Sequence, residues 1–480
     1  MADAADQALD LSLSEAAELI RDGSVTSRAL TEAAIRRAHA AQPATNAFVA
    51  ILADRALAEA DARDAERRSG RLRGPLHGIP LAHKDCLERR GEPMRVGSAV
   101  TDETPGTRDA TVLARLSAAG AVDLGRLHLN EMVAGPTGQN PALGDCRNAW
   151  DTARVSGGSS SGSAVAVATG AVFGAMGSDT GGSTRLPASM NGLFGVKPTY
   201  GRVSRAGVFP RAFSLDCVGP IARTAQDCAI LPGAIAGVDA ADPSTLDAPV
   251  PDYAARRATA AAGSRIAVLL DEGRQHPDIA AAFAALRAAA ADAFGPIGMR
   301  HFPLLETCYA LGDVISKVEA ATLHGSWMAA RGHLYSQAVY SRTEPGLHLP
   351  ATRYLEALLL RAKVLARFLA ETMADADVLL CPTTPVPVPT RAEADMEAGE
   401  RVFPVVAELT RLTRPFSYLG VPVVTMPIGL DGNGMPIGAQ LIGRPLGEAR
   451  LLAVADRLAA RVGWSFAPRR TAVVRHLAAA

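Results

Sequence analysis

Three short stretches of this 480-residue chain combine residue types capable of acting together. Gly78-Ile79-Pro80-Leu81-Ala82-His83-Lys84-Asp85 sets a lysine after an apolar run. Ser156-Gly157-Gly158-Ser159-Ser160-Ser161-Gly162-Ser163 is a serine-rich glycine loop, and Gly177-Ser178-Asp179-Thr180-Gly181-Gly182-Ser183-Thr184-Arg185-Leu186-Pro187 carries a second Gly-Gly-Ser. By itself the 156–163 run reads as a flexible loop. Apolar residues Ala164 to Ala168 follow at once, so the loop leads into a buried helix. A phosphate cradle needs G-x-x-x-x-G-K-[ST], and Gly158 to Ser163 supplies no lysine, which removes the nucleotide reading. In the third stretch, two adjacent glycines let successive backbone N–H groups converge, because no Cβ obstructs them. Such N–H groups beside the Ser183 hydroxyl form the two halves of acyl transfer, a nucleophile and an oxyanion hole. A simple glycine turn is the plain alternative.

A nucleophilic serine needs a base. No G-x-S-x-G elbow surrounds Ser183, so a Ser-His-Asp arrangement has weak support. His77, His83 and His128 read as structural. A Ser-Lys pair is a recognised alternative. Lys84 follows a run where burial is expected, and burial depresses a lysine by roughly 3–5 units from ~10.4, leaving neutral amine near pH 7. Taken alone, Lys84 reads equally well as a surface ammonium paired with Asp85.

These three stretches, in this order, resemble the amidase-signature family. So do Gly195-Val196-Lys197-Pro198-Thr199-Tyr200-Gly201-Arg202-Val203-Ser204, Ser214-Leu215-Asp216, Pro382-Thr383-Thr384-Pro385 and Gly434-Met435-Pro436-Ile437-Gly438-Ala439-Gln440-Leu441-Ile442-Gly443. The resemblance runs from about residue 11 to 460. It implies a three-layer α/β/α fold with a large central mixed β-sheet surrounded by helices. It implies Ser183 as nucleophile, Ser159 as a bridging serine on a cis peptide bond, and Lys84 as base. The 24 residues from Ser159 to Ser183 fit the family pattern. The N–H groups of Thr180, Gly181, Gly182 and Ser183 are the implied oxyanion hole, and Ser160, Asp179 and Arg185 the surrounding polar network. The acyl pocket is expected from the loop at Glu131-Met132-Val133-Ala134-Gly135, with Met132, Val133 and Gly135 as binding residues, and from residues 310–350 and 414–420. Trp327, Tyr335, Tyr340, Phe416 and Tyr418 are either lining for a bulky acyl group or core aromatics.

Ser161 stands where the family often has glycine, and Asn191 where a cysteine is common; both bear on loop packing. The implied activity is hydrolysis of a small or aryl carboxylic amide through an acyl-enzyme. Esters and carbamates share the carbonyl and count as candidate substrates. The rival within the family is the glutamine-hydrolysing A subunit of a tRNA-dependent amidotransferase. Those subunits typically carry R-Q-P and S-L-D-Q where this chain has Arg185-Leu186-Pro187 and Ser214-Leu215-Asp216-Cys217, and their R-Y-D-G segment has no counterpart near Glu319 to Gly325.

The elements that must position these residues follow from periodicity. Residues 11–70 read as a helical preface: Ser12 and Glu15 make a capping box, Gly23 stops the first helix, Leu30, Ala33, Ala34 and Ala38 mark the second, and a third is expected from Asn46 to Arg68. From Pro75 strand-like and helical runs alternate, which argues for an α/β sheet. Expected strands are 79–82, 121–124, 266–270 and 378–381, with 423–428 and 437–442 paired across the turn at Asp431-Gly432-Asn433-Gly434. Expected helices are 110–119, 278–293 and 353–374, while 239–262 reads as an exposed connection. One domain over 1–480 is expected, with a preface at 11–70, a catalytic core at 71–235, and a pocket region plus the C-terminal part of the sheet at 263–465.

Composition narrows the partners. Lys+Arg and Asp+Glu are both 49, giving no electrostatic reason to expect nucleic acid or an anionic membrane. Six scattered cysteines form no C-x-x-C and read as reduced, buried thiols, and no metal motif occurs. No cofactor is expected. The N-terminus lacks a secretory signal and no stretch reaches the ~20 apolar residues of a span, so the expected location is cytoplasmic. The expected partner is a small-molecule amide, with a homodimer as the candidate assembly.

Overall fold

The computed structural model describes residues 2–270, 275–467 and 471–479. Eleven strands form one mixed sheet: β1 (Phe48–Ile51), β2 (Pro80–Lys84), β3 (Val122–Leu127), β4 (Gly174–Asp179), β5 (Phe194–Lys197), β6 (Cys217–Ala222), β7 (Ile266–Leu269), β8 (Gly298–Arg300), β9 (Val378–Pro382), β10 (Val423–Leu430) and β11 (Pro436–Gly443). Their order is β1-β3-β2-β4-β6-β5-β10-β11-β9-β7-β8. The parallel neighbours β3-β2-β4 lie towards one end and β9-β7-β8 at the other, with antiparallel pairs between. Strands β2, β4, β9 and β11 are buried along their whole length because helices cover both faces. The architecture is the expected three-layer α/β/α sandwich.

The local signals behave as their chemistry requires. The Ser12 hydroxyl caps Glu15 N–H at 3.2 Å, the Glu15 carboxylate returns to Ser12 N–H at 2.8 Å, and the helix Leu13–Asp22 ends at Gly23 with φ 85°. The Asp431–Gly434 turn joins β10 to β11, closed by Gly434 N–H on the Asp431 carbonyl at 2.9 Å.

Two expectations give way. The single helix over 46–68 is interrupted: Asn46 takes φ 51° and ends the helix Ser27–Thr45, and Phe48–Ile51 pairs antiparallel with β3 before a helix restarts at Ala53. The Gln42 amide serves both the N–H and the C=O of Phe48, at 2.9 and 2.8 Å, which secures the chain in its extended form there. Segment 239–262 is more than an exposed connection. It contains a helical turn, Arg257–Ala260, and it buries Tyr253, whose hydroxyl accepts from Arg202 Nε at 2.8 Å. The helix expected over 353–374 spans Ala351–Arg367 and passes into a π-helical turn at Phe368–Thr372, with Leu355 and Leu359 pointing to solvent.

Candidate active site

Lys84 is the last residue of β2, and Ser178 and Asp179 close the parallel neighbour β4. Both strands therefore deliver polar side chains to one edge of the sheet, the carboxyl edge where α/β proteins build sites. Lys84 is completely buried and Nζ donates to Ser159 Oγ at 2.7 Å and to Ser178 Oγ at 2.8 Å. Burial lowers its pKa to about 8, only partly offset by Cys86, Asp216 and Asp179. The surface-ammonium reading of Lys84 is thus excluded. Asp85 turns elsewhere, towards Arg126 at 3.5 Å.

The 156–163 loop is pinned between β4 and the Ser183 turn. The Gly158–Ser159 peptide bond is cis. A side chain at Gly158 would run into Asn130 Oδ1 and stand 2.8 Å from the Gly135 carbonyl, so only glycine fits. Ser160 N–H donates to the Ser183 carbonyl at 3.1 Å, and Ser160 Oγ donates to the Ser178 carbonyl at 3.2 Å. The two serine loops are thereby laced together one residue away from Ser159. Behind them the fully buried helix Ser161–Ala168 follows, as its small residues require.

Asp179 organises the turn that carries Ser183. Its carboxylate accepts from Gly182 N–H at 2.8 Å, from Thr184 N–H at 3.2 Å, and from Arg185 Nε and Nη2 at 3.0 Å. Burial alone would raise its pKa, but the Arg185 charge and these bonds outweigh that and hold it at about 2. Arg185 in turn donates to the Thr413 carbonyl, Gln440 Oε1 and Ser417 Oγ, at 2.9, 3.1 and 2.8 Å. Thr180 Oγ1 donates to Asp216 Oδ1 at 2.5 Å, and Thr413 Oγ1 to the Gly181 carbonyl at 2.7 Å.

This network corrects one expectation. Gly182 N–H is committed to Asp179, and Gly182 does not border the cavity, whereas Thr180, Gly181 and Ser183 do. Gly182 serves the turn instead: its φ of 132°, with Thr413 Oγ1 only 2.5 Å from where a Cβ would sit, demands glycine.

The cavity holds about 370 Å³. Val133 and Gly135 line it, while Met132 is fully buried with φ 51° and shapes the loop from beneath. Segment 310–350 contributes Gly312, Asp313, Ser316, Lys317, Ser341 and Arg342, but segment 414–420 contributes only Arg414. None of the five aromatics named from sequence borders it. Phe416 and Tyr418 are core, Tyr335 bonds His324 at 2.9 Å, Trp327 stacks on Phe209, and Tyr340 is exposed. Tyr309 and Phe403 line the cavity in their place.

The histidines are structural. His83 and His128 are buried and pushed down to about 4 by desolvation; His128 bonds Ser161 Oγ and the Gly144 carbonyl, and His77 the Arg63 carbonyl. The departures Ser161 and Asn191 fasten loops: Asn191 Nδ2 donates to the carbonyls of Ser156 and Pro187, at 2.8 and 2.9 Å. All six cysteines are buried and none of them forms a disulfide, and among the described residues no group of side chains is arranged to hold a metal ion. No helix among them is long and apolar enough to cross a membrane.

A mixed three-layer sheet presenting a buried lysine to a serine-rich loop, beside a Gly-Gly-Ser turn, is the framework of the amidase-signature hydrolases. The Amidase family profile matches residues 29–452, and the chain belongs to that family. AmiD of Mycobacterium tuberculosis (strain CDC 1551 / Oshkosh), a putative amidase by name, is 37% identical over 443 residues, covering 92% of each chain. The glutamyl-tRNA(Gln) amidotransferase A-subunit of Roseiflexus sp. (strain RS-1) is 36% identical, covering 95% of this chain and 97% of its own. Among solved structures, the native peptide amidase of Stenotrophomonas maltophilia superposes with a TM-score of 0.80 at 29% identity, covering 95% of this chain and 97% of that one.

Proposed function

We propose that the protein is a serine amidohydrolase that cleaves a carboxylic amide through an acyl-enzyme on Ser183. Ser183 Oγ attacks the carbonyl carbon and passes its proton to Ser159, which passes its own to neutral Lys84. The developing oxyanion is met by the N–H groups of Thr180, Gly181 and Ser183, the residues of the turn that border the cavity. Lys84 and Ser159 return the proton to the leaving nitrogen, which departs as an amine or ammonia, and water retraces the path to release the acid. Ser178 holds the amine in place as a second hydrogen-bond partner, a role that sequence reasoning did not assign to it.

The observation that carries this reading is the 2.7 Å contact between a fully buried amine and the Ser159 hydroxyl, on a loop bonded through Ser160 to Ser183. The test is hydrolysis of an aryl amide by wild type and by Ser183→Ala. The variant is expected to lose at least about 10³-fold in kcat, and equal rates would remove the proposal. Aryl esters and carbamates are expected to turn over at the same serine.

Similarity to the amidotransferase relatives favours a second reading, a glutamine-hydrolysing component of such a complex. Leu186 and Cys217, where those relatives typically carry glutamine, favour the stand-alone hydrolase. Full activity of the isolated chain on simple amides, without glutaminase activity, separates the two.

A further inference from the structure

Beyond the triad, the cavity wall has an unusual charge balance. Among the described residues, four cations border it, Arg211, Lys317, Arg342 and Arg414, against one carboxylate, Asp313. Both Asp313 oxygens are taken, by Arg414 Nη1 at 2.6 Å and Lys317 Nζ at 2.7 Å. The nearby Asp216 is also committed, to Thr180 Oγ1 and to the N–H groups of Arg211 and Ala212. Among the described residues, the Arg211 guanidinium donates to neutral acceptors only, Thr343 Oγ1 at 3.0 Å and the Arg342 carbonyl at 3.4 Å. Arg342 Nη1 is buried without a hydrogen-bond partner among the described residues. Burial, with repulsion from Arg342 on Arg211 and from Arg414 on Arg342, pushes both guanidinium groups down to about 10. A chain with formal net charge zero has therefore gathered an excess of positive charge, counted over the described residues, beside its reactive serine. Val402, Phe403 and Val406 supply an apolar wall of the same cavity.

We infer that the amide substrate carries a carboxylate, received by Arg342 and Arg211, on an apolar chain lying against Val402, Phe403 and Val406. This rests on the hydrolase reading of Ser183 and names its substrate class. Hydrolysis of such a molecule, the monoamide of a dicarboxylic acid, consumes one water and gives the dicarboxylate and ammonium. A carboxylate on the leaving side, as in an N-acylglycine, presents the same chemistry from the other half of the substrate.

The experiment compares kcat/KM for the monoamides of succinate, glutarate and adipate with butanamide, pentanamide and hexanamide, and N-hexanoylglycine with N-ethylhexanamide. A charged hydrogen-bonded pair stabilises by about 1.5–3 kcal/mol, so one charged series is expected to exceed its neutral match by about 10- to 100-fold. The series that shows the preference tells acyl side from leaving side. Arg342→Met is expected to lower kcat/KM for the charged member more than for the neutral one, chiefly through KM, and Arg342→Lys to restore part of it. Neutral amides equal to or better than every charged match, or equal falls on both in Arg342→Met, overturn the inference. Ser183→Ala separates it from the nucleophile assignment. Succinate, glutarate or adipate should raise the Tm of that variant but not of the variant that also carries Arg342→Met. Absence of any such rise overturns the cavity assignment even where turnover is undetectable, whereas unimpaired hydrolysis by Ser183→Ala removes the nucleophile alone.

Discussion

If Lys84 is the base, the reaction must follow its titration. Desolvation brings the folded pKa to about 8, and the relay needs the neutral amine. With that value the neutral fraction is about 1% at pH 6, about 10% at pH 7, half at pH 8 and about 90% at pH 9. Hydrolysis of acetanilide, whose own protonation is constant over this range, should therefore rise about 50-fold in kcat/KM from pH 6 to 8 and less than twofold from pH 8 to 9. Asp216, raised by burial to about 6, is one of the charges that pull the Lys84 value upward. Its protonation belongs to the acid end of the profile and leaves the limb above pH 7 to the lysine. A profile flat between pH 7 and 8, or falling there, would refute the assignment.

The same shift makes a stability statement with a definite sign. Below pH 8 both folded and unfolded chains hold the Lys84 proton, and the folded state bears the full cost of burying it. As pH rises through 8 the folded chain loses its proton first, and the cost fades towards the ordinary value of 10.5. The displacement corresponds to about 3 kcal/mol, against about 1 kcal/mol for each of two hydrogen bonds. Lys84→Met should therefore lose about 10²–10⁴ in kcat while gaining about 1 kcal/mol in denaturant stability at pH 7. A loss of several kcal/mol would show that the amine is there for structure.

Asp179→Asn leaves Arg185 buried without its counter-charge and should cost about 3–5 kcal/mol, read from the urea midpoint. Gly158→Ala forces a methyl into Asn130 and the Gly135 carbonyl, so activity should fall by more than tenfold with a lowered Tm. Ser178→Ala removes an acceptor that stabilises the ammonium and should shift the pH profile of kcat/KM to lower pH, an effect that a purely structural role would not produce. Thr413→Val frees the Gly181 carbonyl from its hydroxyl partner and should lower kcat on neutral amides, with about 1 kcal/mol of stability lost.

Much of the site's framework was legible because its chemistry is written in unusual residue types. Lysine after an apolar run, glycine pairs and clustered serines have few uses in common, and the Lys84 amine stands 2.7 Å from the Ser159 hydroxyl. What stayed hidden depends on partners distant in the chain. Phe48–Ile51 becomes a strand only because β3, some 75 residues on, offers an edge and Gln42 closes the corner. Thr413, Ser417 and Gln440 reach the Ser183 turn through Arg185, over more than 200 residues of chain. Gly182 carries the right residue type for an oxyanion donor, but nothing local reveals that Asp179 claims its N–H. Aromatic residues look alike in a core or in a pocket, so Phe416 and Tyr418 could not be separated from Tyr309 and Phe403.

The cationic wall was least legible of all, and the reason bears on how the protein divides its work. Lys84, Ser178 and Asp179 end adjacent parallel strands, so the register of β2 against β4 fixes the lysine relative to the serine loops. The cavity wall comes instead from helices and loops outside the sheet, 309–345 and 396–414, with Arg211 from the loop before β6. Zero net charge over 480 residues says nothing about which few arginines those segments bring together. In the proposed mechanism, proton transfer thus rests on the sheet and selection on the covering segments. Substitutions at Arg211 or Arg342 should change which amide is preferred while leaving the pH dependence set by Lys84 where it is.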